Sequence, residues 1–117
     1  MKKISRTYLI AVDFDGCICS GGFPNIENAV LIESTVEKII KQRVKNINTD
    51  FILWTCRAGE KLSDAIEFCK KHQLPIYYYN EQHPSTFGWM HDAADVRKIF
   101  AHEYWDDRSV YVGQKCD

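Results

Sequence analysis

The chain has no apolar run approaching the ~20 residues that a membrane-spanning helix needs. Its longest, Leu9 to Val12 with Tyr8 before it, stops at Asp13. Neither charge is in excess: 15 Lys+Arg against 16 Asp+Glu leave −1. That balance argues against a dedicated nucleic-acid or anionic-membrane binder, which usually carries a basic surplus. An even cysteine set is also missing. The 5 cysteines, Cys17, Cys19, Cys56, Cys69 and Cys116, are odd in number and scattered, which suits a disulfide framework poorly and predicts reduced thiols in a cytoplasmic protein. Cys17-x-Cys19 is too tight for the usual zinc pair, and no second Cys/His pair stands at ligand spacing. The basic start, Met1 to Arg6, runs into a short apolar stretch and then Asp13 and Asp15, which is not the pattern of a signal peptide. No repeat, low-complexity tract or linker interrupts the 117 residues. One domain over 1–117 is expected, with an apolar content of 45% sufficient for a core.

What is present alternates between strand and helix patterns. Tyr8 to Val12, Phe51 to Trp54 and Ile76 to Tyr79 are short apolar runs of strand formers, and Glu103-Tyr104-Trp105 is a shorter one. Ile32, Val36, Ile39, Ile40, Val44 and Ile47 recur at helical spacing, as do Leu62, Ala65, Ile66 and Cys69 in a helix expected from about Glu60 to His72. Lysines 38, 41 and 45 fall largely on the opposite face of the first helix and read as a solvated surface. Gly21-Gly22 reads as the turn of a small hairpin between Ile18/Cys19 and Phe23, and a short helix is expected over Ala93–Ala101. The order β-α-β-α-β-α-β predicts an α/β fold, a parallel sheet with helices on both faces.

In such a sheet, ligands bind beyond the carboxyl ends of the strands, where the strand order reverses. The residues that end the expected strands are Asp13 and Asp15, then Thr55, then Asn80, then Asp106 and Asp107. A single Asp there is an ordinary turn residue, but two doublets, each directly after an apolar run, would gather enough negative charge to require a cation. Mg2+ is the first candidate, since hard dications take oxygen ligands. A carboxylate beside such a cation suggests phosphoryl chemistry. One Asp attacks phosphorus as nucleophile, a second protonates the leaving oxygen, and a hydroxyl and an amine hold the phosphoryl group. Thr55 and Lys98 supply those last groups. Arg57 and Arg108 follow at the rim, each either a ligand for a distal anionic group or a salt-bridge partner. His83 is expected in solvent, His72 at a helix end, and Phe23 as a wall of the site.

These motifs resemble the haloacid dehalogenase (HAD) superfamily of phosphohydrolases. Ile10-Ala11-Val12-Asp13-Phe14-Asp15-Gly16 is similar to its first motif, and Phe51 to Thr55 to its second. Lys98 matches the third, and Asp106-Asp107 the fourth. Trp54-Thr55-Cys56-Arg57 and Trp105-Asp106-Asp107-Arg108 are similar to a group of small, capless HAD-like hydrolases. The resemblance implies a three-layer Rossmann-like fold with strand order 4-1-2-3, a flap over about residues 17–28, and no cap domain. It implies Asp13 as nucleophile and metal ligand, and Asp15 as general acid/base that also binds metal. Thr55 and Lys98 would hold phosphate, and Asp106 would be the direct metal ligand with Asp107 in support. The gaps agree with caplessness: 39 residues separate Asp15 from Thr55 and 42 separate Thr55 from Lys98. Cys17 stands where the family often has Thr, and His102 where the small group often has Asp.

The expected function is Mg2+-dependent phosphomonoester hydrolysis, on a phosphorylated small molecule or the phosphorylated end of a nucleic acid. An open site leaves room for a second subunit to add selectivity. Two other classes compete. A receiver-like phosphoacceptor shares the inventory, but its acceptor Asp ends the third strand, where this chain has Asn80. A non-catalytic metal- or partner-binding module on the same fold would have no need for the complete catalytic set.

Overall fold

The computed structural model describes residues 7–87 and 95–114. The strands are β1 (Tyr8–Val12), β2 (Cys19–Ser20), β3 (Val30–Leu31), β4 (Thr49–Leu53), β5 (Ile76–Tyr79) and β6 (Glu103–Trp105); the helices are α1 (Glu33–Lys45) and α2 (Gly59–Lys71). Four strands form one parallel sheet in the order β5-β4-β1-β6. The remaining two, β2 and β3, form a separate antiparallel ribbon, in the region where a small hairpin was expected but with a different second strand. Within the sheet, Glu103–Trp105 lies beside Tyr8–Val12, which lies beside Thr49–Leu53 and then Ile76–Tyr79.

The period of 2 along each strand divides two cores. Ile10, Val12, Phe51, Leu53 and Ile76 point to one face, where they meet Ile39 of α1 and Ala65, Phe68 and Cys69 of α2. Leu9, Ala11 and Ile52 point to the other, where Ile99 and Ala101 cover them. Among the described residues both helices therefore pack on the same face, not one on each. Handedness explains this. The steps β1 to β4 and β4 to β5 move the same way across the sheet, so two right-handed crossovers put both helices on one side. The chain reverses only on its way to β6, and that return must cross the opposite face.

A helix was expected on that return over Ala93–Ala101. Residues 91–94 lie outside the described residues, and 95–101 are irregular. Gln82 is the physical reason. Its side chain, 2% exposed, donates to the carbonyls of Asp95 (2.7 Å) and Lys98 (3.2 Å) and accepts from the Phe100 N–H (2.9 Å). One buried amide thus satisfies three backbone groups that a helix would have paired internally.

Three other expectations change. The apolar stripe of α1 is only partly buried. Ile39 is covered, whereas Ile40, Val44 and Ile47 are 57%, 81% and 77% exposed. The hairpin partner of Cys19 is Leu31, not the segment at Phe23, so the flap runs on to Leu31 and holds a short 3-10 turn at Ile26–Asn28. His83 is buried, not solvated, and bonds Asp50 and Ser85 at 2.8 Å each.

Replacing Gln82 by Leu should leave the Phe100 N–H and two carbonyls unpaired and cost about 2–3 kcal/mol in urea unfolding. Wild-type stability in that variant would show that the 95–101 segment is held some other way.

Candidate functional site

The strand order sets the site. Because β1 lies between β4 and β6, the chain leaves β1 in one direction and returns on the other side, which makes the β1/β6 carboxyl end the switch point. The backbone ties the two ends together: the Asp13 N–H donates to the Trp105 carbonyl at 2.9 Å.

After Asp13 the chain turns tightly through Gly16, whose φ of +87° is a left-handed conformation. A Cβ on Gly16 would lie 2.2 Å from an Asp107 carboxylate oxygen. Glycine is therefore required here for its backbone angle and for the room it leaves to Asp107. The result is a close group: ligand atoms of Asp13, Asp107 and Cys17 lie within 4.8 Å of one another. The Cys17 thiol is turned to the backbone, 3.7 Å from the Trp105 carbonyl oxygen. Burial raises that thiol to about 11, with help from Asp13, Asp107 and Asp106.

The acidic pair divides. Asp107 joins Asp13, while Asp106 accepts the Arg108 N–H at 2.8 Å and lines a separate hollow of about 330 Å³ with Lys38 and Trp105. Asp107 thus shares a close group with Asp13 and Cys17, and Asp106, expected as the direct metal ligand, lies outside that group while its charge still acts on Asp13. Asp15 also stands apart. Its two oxygens pair with Arg57, at 2.8 Å from Nε and 2.8 Å from Nη2.

A cleft of about 420 Å³ opens on this side, lined by Asp13, Asp15, Phe23, Thr55, Arg57 and Arg108. Thr55 is held from both directions: its N–H donates to Asn80 Oδ1 (2.9 Å) and its hydroxyl accepts the Arg57 N–H (3.2 Å). Asn80, left-handed at φ +51° just after β5, also donates to the Arg57 carbonyl at 3.4 Å. This role of Asn80 was missed, although an Asn directly after an apolar strand was its visible sign. Lys98 is not among the residues lining the cleft; its ammonium lies over the Tyr104 ring, 5.6 Å from the centroid. Arg108 sits at the rim with an exposed side chain, 4.0 Å from Asp107. His102 serves the sheet, its Nδ1 accepting the Leu9 N–H at 2.9 Å.

Burial raises Asp13 from the usual 3.8 to about 6, against the pull of the Phe14 N–H, and Asp106, Asp107 and Asp15 add to the rise. The sign follows directly. A carboxyl that holds its proton more tightly when folded makes folding less favourable as pH rises from about 4 through about 6. Asp13→Asn should therefore raise the melting temperature at pH 7 in chelator by roughly 3–8 °C, while near pH 4 the two proteins should melt together. An unchanged or lower melting temperature at pH 7 would contradict this burial and crowding of the Asp13 charge.

No family model matches the chain, and no curated protein matches it. Among solved structures, a conserved protein from Bacteroides thetaiotaomicron is similar at 30% identity, with a TM-score of 0.65, over 90% of this chain and 79% of the other. At that identity and coverage the two chains belong to one family of conserved proteins. The description of the neighbour names no activity, so what the likeness carries is the fold.

Proposed function

We propose that this chain is a phosphohydrolase of the HAD type that works through an aspartyl-phosphate on Asp13 with the help of a divalent cation, Mg2+ first. The observation that carries this reading is the meeting of Asp13 and Asp107 at the ends of adjacent parallel strands, with Asp15 and Thr55 opening on the same cleft as Asp13.

The residues fit a hard dication. Asp13 and Asp107 offer oxygen donors within 4.8 Å, and Gly16 leaves space for the second of them. Burial lifts Asp13 and the acidic neighbours add to the rise, and a cation would offset both effects. When bound, the cation would neutralise phosphoryl oxygens and lower the repulsion between substrate and nucleophile.

The chain's own groups divide the work as follows. An Asp13 oxygen attacks phosphorus, and the bond from phosphorus to the ester oxygen breaks. Asp15 gives its proton to that departing oxygen. It then removes a proton from water, which attacks the aspartyl-phosphate, freeing inorganic phosphate and restoring the Asp13 carboxylate. Thr55 orients the phosphoryl group from the neighbouring strand end. Arg108, exposed at the rim, is available to a second anionic group on the substrate.

Purified protein with Mg2+ should hydrolyse 4-nitrophenyl phosphate, and Asp13→Asn should lower kcat at least ~1,000-fold. Activity that survives this substitution would reject the mechanism. A second readout needs no turnover: Mg2+ should raise the melting temperature of the wild type but not of Asp13→Asn.

A further inference from the structure

Arg57 is the one arginine or lysine buried among the described residues, only 5% exposed. A buried guanidinium must spend its N–H groups, and this one does. Nε and Nη2 take the two oxygens of Asp15 at 2.8 Å each, Nη2 also donates to the Gly22 carbonyl at 3.0 Å, and Nη1 donates to the Lys61 carbonyl at 3.2 Å. Four of the five N–H donors of an arginine are thereby used. Its centre lies 4.8 Å from the Phe14 ring centroid and 5.1 Å from that of Phe23. The flap is fastened again next door, where Lys61 Nζ donates to the Pro24 carbonyl at 2.7 Å.

So engaged, Arg57 has little left to offer a ligand. What it does hold is Asp15, by both oxygens, together with the flap and the start of α2. The Asp15 side chain stays 40% exposed and lines the cleft, so the carboxylate remains within reach of a ligand there.

We propose that Arg57 is a positioning residue for Asp15 and not a substrate ligand: the buried guanidinium fixes the carboxylate at the cleft and couples its aim to the flap. This role rests on the phosphohydrolase reading above. It makes proton delivery to the leaving oxygen depend on Arg57. Proton delivery matters most when the leaving group is a poor one. An alkyl alcohol cannot depart as its anion, whereas 4-nitrophenol can.

The test compares glycerol 2-phosphate with 4-nitrophenyl phosphate, with Mg2+ present. Arg57→Gln should lower kcat about 100-fold on the alkyl ester and about 10-fold or less on the aryl ester, with KM changed less than about twofold on either. Asp15→Asn should show the same bias, and the double variant should be no worse than Asp15→Asn alone. Arg57→Lys keeps the charge but loses the fork, and should fall between wild type and Arg57→Gln. Guanidinium ion at millimolar concentration should restore part of the alkyl-ester rate to Arg57→Ala. Equal losses on both esters, or a KM rise with kcat intact, would overturn the positioning role. If Arg57→Gln does not fold, the same comparison in Arg57→Lys decides. A wild type that turns over neither ester would instead overturn the phosphohydrolase reading, and this role with it.

Discussion

Carboxylates crowd at the ends of two neighbouring strands, and the fold has to tolerate their repulsion. The pairing of β1 with β6 brings this about, since the same register that joins Val12 to Trp105 sets Asp13 beside the start of the Asp106-Asp107 turn. Nothing about the apolar core requires acids at that edge. Burial raises Asp13 to about 6, and its acidic neighbours raise it further. Charge crowding of this kind works against folding near neutrality, and such costs concentrate at functional sites.

Much of this was legible in the chain. Apolar runs marked the sheet strands, and the residues directly after them are the ones that gather at the switch point. Strand-end position is a strong signal because the period of a strand and the handedness of its connections leave few choices. The 3.6-residue period was a weaker guide. It located a helix in the region of α1, but it put Ile40, Val44 and Ile47 on the buried side, although they are 57%, 81% and 77% exposed. A period reports which residues share a face, not whether anything covers that face.

What the sequence concealed were long-range bonds of polar side chains. Gln82 holds segment 95–101 out of a helix by contacts 13 to 18 residues away. His83 is fixed by Asp50, 33 positions earlier, and Arg57 by Asp15, 42 positions earlier. No local pattern announces such pairs, because each residue alone reads as an ordinary loop or rim residue. The side of the sheet taken by the helices was hidden for a related reason. Alternation of elements predicts crossovers, but only the strand order says which way each crossover steps.

The acids at this edge do not act as one group. Asp106 is turned aside by a backbone N–H of its own turn, into a different hollow. Asp15 is matched individually by a buried guanidinium. Asp107 is given room over Gly16, where a side chain could not fit. These local solutions leave Asp13 and Asp107 as a close carboxylate pair, with the charge of Asp106 still acting on Asp13. On the phosphohydrolase reading proposed above, the same partition sets apart the two carboxylates, Asp13 and Asp15, that the reaction would use in different states. A nucleophile must stay ionised beside its cation, and an acid/base must hold its proton away from it. The Arg57 fork holds both Asp15 oxygens beside the flap, apart from the Asp13 and Asp107 pair.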